Sequence, residues 1–166
     1  MRTANFIFCL IIVMALSACG YKPLYGTASN GQGVADSLSS ISIEETDTRV
    51  GQLIRNNLLS SMRPAGTAGQ DQFRLTINPS VSLTLLADDD ARDVQRKRLR
   101  LSVTYKLIEI SSGQEMNSGK TFSNVSYDIV NEPIADLEAE SNATSKAAQE
   151  VGQDIRIRLA AFIANR

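Results

Sequence analysis

The densest group of chemically active side chains in this sequence is basic. Arg92, Arg96, Lys97, Arg98 and Arg100 lie between positions 92 and 100. Because guanidinium groups bind phosphate through two parallel hydrogen bonds, this cluster could form an anion site. The alternative is a solvated strand face whose charge is partly neutralised by nearby carboxylates. Those carboxylates are Asp88, Asp89, Asp90 and Asp93. The sequence leaves both interpretations open.

Cys19 is the second residue whose position indicates chemistry. It follows Leu16-Ser17-Ala18, at the end of an apolar run of eleven residues that begins at Phe6, and Arg2 supplies a positive charge before that run. A positive start, a short apolar run and small residues at a cleavage site define a secretory signal. The run is shorter than the roughly 20 apolar residues that span a membrane.

A lone cysteine directly behind such a tripeptide is typical of a bacterial lipobox, in which the thiol is acylated and becomes the mature N-terminus. We therefore predict a signal peptide at residues 1–18 and an N-acyl and S-diacylglycerol lipid on Cys19. Several acyl chains on one residue make a practically permanent membrane anchor. An ordinary secreted protein with a cysteine at this place by chance is the alternative.

Composition argues against catalysis. The chain has no histidine, the commonest general base and metal ligand. No serine has a nucleophile-elbow context, and no glycine-rich phosphate loop occurs. The triplet Asp88-Asp89-Asp90 lacks the glycine and distal glutamate of an EF-hand, so a surface loop is favoured over a cation site. We expect no enzyme, no metal and no cofactor other than the lipid on Cys19.

Removal of the signal leaves 148 residues, enough for one ordinary domain. Arg2 and Cys9 leave with it, so the mature chain has 16 basic and 18 acidic residues, a net charge of −2, and no internal disulfide. This balance is not that of a nucleic-acid-binding protein. Small and polar residues up to Ser37 predict a flexible tether at 19–37, and the domain is expected at 38–166.

Hydrophobic periodicity predicts the order strand, helix, three strands, helix. The first strand is expected at 38–44, followed by a helix capped by Asp47 or Thr48. The next strand begins at Phe73, and its Pro79 requires a sheet edge or a bulge. In the fourth strand, at 120–130, Phe122 and Val125 fall on opposite parities, which predicts a bulge near Asn124. A long helix is expected from Pro133 to about 163.

These elements predict an α+β fold. The expected architecture is a two-layer sandwich, in which a four-stranded mixed sheet of order β-α-β-β-β-α carries two helices on one face. The uncovered face should hold the polar residues that alternate with the apolar ones.

The stretch Cys19-Gly20-Tyr21-Lys22-Pro23-Leu24-Tyr25-Gly26 resembles the mature start of the alphaproteobacterial lipopolysaccharide-assembly lipoproteins (LptE-like). The terminal helix, with Asp136 to Glu140 and Asp154 to Leu159, is also similar to the last helix of that family, although Ser141-Asn142 departs from its usual pattern. Gly20 behind the cysteine agrees with sorting to the outer membrane.

This resemblance implies a non-enzymatic lipoprotein, anchored in the outer membrane and facing the periplasm. Its partner would be a large β-barrel translocon subunit (LptD-like), whose lumen it would plug while it helps to deliver lipopolysaccharide. A periplasmic lipid carrier or transporter-accessory lipoprotein is the alternative, and it would need an apolar cavity between sheet and helices. A small lipoprotein hydrolase is disfavoured by the missing histidine.

Overall fold

The computed structural model describes residues 33–63, 70–89 and 94–166. Its helices are α1 (Val34–Ser39), α2 (Arg49–Met62) and α3 (Pro133–Ala164), and its strands are β1 (Ile41–Ile43), β2 (Phe73–Asp89), β3 (Val94–Glu109) and β4 (Glu115–Ile129). The predicted signal peptide and Cys19 lie outside the described residues. None of the described helices is long and apolar enough to cross a membrane.

The strands form one mixed sheet in the order β1-β2-β3-β4. β1 runs parallel to β2, because helix α2 carries the chain back before β2 begins. β2, β3 and β4 follow one another as antiparallel neighbours. The predicted four-stranded mixed sheet is therefore confirmed, and Pro79 lies in a stretch of β2 that has a described neighbour on one side only.

Helices cover one face of this sheet. α3 lies against β3 and β4, and α2 packs beside α3 against β1 and β2. Odd-numbered residues of β3 point towards this interface, and those from Leu99 to Leu107 are buried, while the even-numbered residues face away. The buried β3 residues are Leu99, Leu101, Val103, Tyr105 and Leu107. The two-layer α+β sandwich is thereby confirmed, with a third, short helix added to the helical layer.

That third helix corrects the boundary of the predicted tether. α1 begins at Val34, inside the segment expected to be flexible, and it also takes Leu38 and Ser39 from the expected first strand. Val34 and Leu38 are spaced four residues apart, so they share one helical face, and both side chains are buried. The small, polar composition of the segment concealed this pair.

The pairing of β4 corrects the bulge that was predicted near Asn124. The pairing of β3 with β4 runs without interruption from Asn117 to Ile129, so the predicted bulge near Asn124 is wrong. The register shifts lie elsewhere, between Leu85 and Ala87 and between Leu107 and Ile108. Phe122 instead projects from the uncovered face.

Two polar residues, Thr121 and Ser123, are buried on the covered face of β4 because their hydroxyl groups form hydrogen bonds with α3. Thr121 donates a hydrogen bond to Asp154 of α3 at 2.5 Å, and Ser123 donates to Glu150 at 2.6 Å. Because each hydroxyl donates to a carboxyl oxygen, burial leaves neither donor unsatisfied. This side of the helix–sheet interface is thus held by a ladder of hydrogen bonds as well as by apolar contact.

Gly152 lies where α2 and α3 approach each other. A methyl group added at Gly152 would lie 3.5 Å from the Asn57 Cβ, an ordinary van der Waals contact. We expect Gly152→Ala to raise the free energy of unfolding by up to about 1 kcal/mol, because alanine loses less backbone entropy in a helix. Urea denaturation of the purified protein measures this change.

Gly51 provides the matched control. A Cβ at Gly51 would overlap the Thr46 side chain, and it would crowd the Thr48 hydroxyl that accepts the Gly51 N–H as the cap of α2. Gly51→Ala should therefore lower the free energy of unfolding by about 1–3 kcal/mol, in spite of its higher helix propensity. Equal effects of the two substitutions would contradict this account of the packing.

Candidate anion-binding face

The uncovered face of the sheet carries three of the predicted basic residues in one row. Arg96, Arg98 and Arg100 are even-numbered residues of β3, and all three are exposed. Alternate residues of a strand lie about 7 Å apart, so the row spans roughly 13 Å. We call this surface the open face. It is defined by the even-numbered residues of β3 and their partners in β2 and β4.

Of the other two predicted site residues, Lys97 does not join this row. Lys97 lies on the helix-covered face, between its neighbours Leu85 and Tyr127, and is half-buried. Arg92 lies outside the described residues, as does Asp90. Alternation along β3 therefore divides the basic cluster between the two faces of the sheet.

Arg96 is held by an ion pair with its cross-strand neighbour. Its Nε donates to one oxygen of Asp128 at 2.7 Å, and its terminal nitrogen donates to the other oxygen at 3.1 Å. This hydrogen bonding, together with the positive charge of Arg96, lowers the pKa of the Asp128 carboxyl below its ordinary value. Both side chains are about half exposed, so the pair leaves the Arg96 charge partly accessible at a modest energetic gain.

Arg100 lies over an exposed aromatic ring. Its guanidinium carbon is 4.3 Å from the centroid of Phe122, within the range of a cation–π interaction. Phe122 is diagonally placed, because its direct partner on β3 is Ser102. The contact fixes the orientation of Arg100, and it accounts for a large apolar side chain on an otherwise polar face.

Arg98 is the most available cation of the row. In the described part of the chain it forms no ion pair, and its neighbours are Thr84 on β2 and Ser126 on β4. Hydroxyl groups on both sides can donate to an anion that Arg98 binds. Arg98 was among the residues selected from the sequence, where nothing distinguished it from its neighbours.

Further cations extend the open face. Arg74, Lys106 and Lys120 share its parity, and Lys106 forms a 3.2 Å ion pair with Glu115. Lys120 and Phe122 were not identified from the sequence, because the sequence left the register of β4 open and predicted a bulge near Asn124. The described side chains contain no group of three or more histidine, cysteine, aspartate or glutamate residues placed to hold a metal ion.

The Arg96–Asp128 pair predicts a pH-dependent signature. Because the pKa of Asp128 is lowered in the folded state, the pair stabilises the fold above the ordinary aspartate pKa of about 3.9. That contribution disappears as the pH falls through the lower, folded-state pKa. A carbon-detected NMR titration should find the depressed pKa, and Arg96→Gln should raise it towards the ordinary value. Arg98→Gln is the control, and an equal shift in that variant would contradict the assignment.

No protein-family model matches the sequence, and no curated protein matches it. Solved structures do match. A candidate lipoprotein of Caulobacter crescentus CB15 is 26% identical, with a TM-score of 0.64 over 80% of this chain and 97% of the other. The minor lipoprotein of Acinetobacter baumannii has 15% identity and a TM-score of 0.53 over 73% and 88% of the two chains.

The rare lipoprotein B of Shewanella oneidensis gives 16% identity and a TM-score of 0.50, over 75% of this chain and 95% of the other. At 15% and 16% identity the likeness shows a common fold and no more. The match to the Caulobacter protein covers nearly the whole of that chain at higher identity. The structural neighbours of this chain are therefore bacterial lipoproteins, and its sandwich of a long mixed sheet and one helical layer is the fold that they share.

Proposed function

We propose that this chain is an outer-membrane lipoprotein, anchored through Cys19, that assembles with the β-barrel subunit of a lipopolysaccharide translocon. The observation that most directly supports this proposal is the open face. It extends over three strands of 15 to 17 residues, and no described helix covers it. At about 3.3 Å per residue, these strands form a surface roughly 50 Å long.

The chemistry of the open face suits the lumen of a barrel. Its residues between the cations are mainly serine, threonine and asparagine. The interior of a large transmembrane barrel is polar and hydrated. A plug with such a surface can enter the lumen without burying unsatisfied polar groups, because water or lumen side chains can complete their hydrogen bonds.

The Arg96–Arg100 row supports contact with lipopolysaccharide, which carries phosphate groups. Guanidinium groups about 7 Å apart can each bind the oxygens of a different phosphate group. Although the chain as a whole is slightly acidic, with a net charge of −1, six cations share this face. They are Arg74, Arg96, Arg98, Arg100, Lys106 and Lys120. The lipoprotein neighbours and the lipobox ending at Cys19 support the anchored location.

The cavity between α2 and α3 is not the apolar cavity between sheet and helices that the lipid-carrier alternative requires. This cavity has a volume of about 270 Å³, but polar side chains line it. An acyl chain requires an apolar lining. The lining residues are Asn57, Ser60, Ser61, Gln149, Gln153 and Arg156.

The translocon assignment predicts a stable complex. Mild detergent extraction of the native cell envelope, followed by affinity purification of the full-length lipoprotein, should recover a large outer-membrane β-barrel protein in near-stoichiometric amount. The recovered barrel is identified by mass spectrometry. Recovery of the lipoprotein without any barrel protein would argue against the proposed function.

The open face predicts the effect of removing its cations. Replacing Arg96, Arg98 and Arg100 together by serine should weaken lipopolysaccharide binding tenfold or more, because each charge-assisted hydrogen bond contributes about 1.5–3 kcal/mol. Binding of the purified protein to immobilised lipopolysaccharide, measured at two salt concentrations, tests this. The salt dependence should also decrease in the variant, since fewer charges are neutralised on binding.

Lys97→Ser supplies the control, because Lys97 adjoins the row in sequence but lies on the opposite face. It should leave lipopolysaccharide binding unchanged. Unaltered binding in the triple variant would remove the anion-site assignment, and equal losses in both variants would indicate only a general effect of charge.

A further inference from the structure

Among the described residues, one side of β2 has no neighbouring strand along most of its length. β1 pairs only with Phe73–Leu75, and beyond that point no described strand lies next to β2 on this side. We call the stretch from Ile77 to Leu85 the β2 edge. It is nine residues long, about 30 Å.

The backbone of the β2 edge presents its hydrogen-bonding groups to the open side. Phe73 N–H donates to the Ser40 carbonyl at 3.3 Å, and Glu44 N–H donates to the Leu75 carbonyl at 2.9 Å, so odd-numbered residues of β2 point towards β1. The pairing with β3 has no register shift before Leu85. The odd-numbered residues of the β2 edge therefore point their N–H and C=O groups outward. Pro79 fits this orientation. Its backbone nitrogen faces the open side, so the N–H that proline lacks is not needed for pairing with β3.

The same odd-numbered residues form an apolar row. Val81, Leu83 and Leu85 have 43, 48 and 50% of their surfaces exposed. They have the parity of the helix-covered face, but α3 packs on β3 and β4 rather than on β2, and their exposure shows that α2 does not cover them. Within the part of the chain that the structure describes, the β2 edge thus combines unpaired backbone groups with an exposed apolar row.

The β2 edge also lacks the usual protection of an exposed strand. Natural sheet edges commonly carry charged residues that prevent pairing with another chain. The opposite edge strand, β4, carries Glu115, Lys120 and Asp128, whereas no charged residue occurs from Ile77 to Leu86. Pro79 is its one unfavourable residue, and it lies four residues from the centre of the apolar row at Leu83.

We propose that the β2 edge binds an extended segment of the β-barrel subunit by strand addition, an inference that rests on the function proposed above. The bound segment is uncharged, with apolar residues at alternate positions, and it continues the sheet in line with β1. β1 already provides this pattern, since Ile41 and Ile43 are buried beside Phe73 and Leu75. Backbone hydrogen bonds supply the pairing, and the apolar row selects the side chains.

A second copy of this chain fits the β2 edge less well. Pairing over about 30 Å of a sheet about 10 Å thick buries roughly 300 Å² on each chain, or about 600 Å² in total. A specific, stable interface between two chains buries about 1,200 Å² or more. The occupant must therefore be held by other contacts as well, as a subunit seated on the open face would be.

Photo-crosslinking in the native cell tests the contact directly. A benzophenone amino acid is placed at position 83 of the full-length lipoprotein, and in a control at Ser145, which is exposed on α3. Position 83 should form an adduct with the barrel subunit, identified by mass spectrometry, and position 145 should not. An adduct of two lipoprotein copies at position 83, or no barrel adduct there, would overturn the inference.

Variants separate this inference from the proposed function. Leu83→Lys should reduce the recovery of the barrel subunit at least tenfold, while Ser145→Lys, which adds the same charge, should leave it unchanged. Both should keep the thermal midpoint of the unmodified protein, because both positions are exposed. Leu83→Pro removes one outward N–H and should act like Leu83→Lys, with Leu83→Val as its control.

If the barrel is recovered equally with the unmodified protein and with Leu83→Lys, strand addition is overturned. The proposed function then still stands. Failure to recover the barrel with the unmodified protein would contradict both.

Discussion

Burial of one row of β3 beneath α3 is the interaction on which the rest of this structure depends. The odd-numbered residues from Leu99 to Leu107 are almost entirely excluded from solvent. Each fully buried aliphatic side chain contributes about 1.5–3 kcal/mol, so this row alone makes a large part of the core. Small residues on α3, among them Ala147, Ala148 and Gly152, let the helix lie close to its neighbours. Because side chains alternate along a strand, fixing the odd row inward fixes the even row outward.

The open face and the β2 edge are both consequences of this arrangement. The alternation that buries the odd-numbered residues from Leu99 to Leu107 places the arginines of β3 in one row on the exposed face. This row contains Arg96, Arg98 and Arg100. The β2 edge is exposed because helix α2 is much shorter than strand β2. Helix α2 has 14 residues, about 21 Å, whereas β2 has 17 residues, about 56 Å. A single short helix cannot cover the whole strand, so its second half retains exposed apolar side chains.

The proposed function uses both surfaces without catalytic chemistry. A lipid on Cys19 would hold the domain at the membrane, the open face would meet a polar lumen and phosphate groups, and the β2 edge would fix the domain to its partner. Each of these roles depends on position rather than on turnover. The ladder of Thr121 and Ser123 with Asp154 and Glu150 keeps β4 against α3, so the open face is presented on a rigid sheet.

The sequence by itself determined the α+β class, the order of the four strands and two longer helices, and the start of α3 at Pro133. It limited the cap of α2 to Asp47 or Thr48, and the structure selects Thr48. These features depend on local periodicity and capping, which neighbouring residues alone define. The tertiary structure decided which face each residue joins. It set Phe122 beside Arg100 and made Val34 part of a helix with one buried face. Those outcomes depend on contacts between residues far apart in the chain. On β4 they also depend on the carboxylates of α3, which let hydroxyl groups occupy positions that periodicity reserves for apolar side chains.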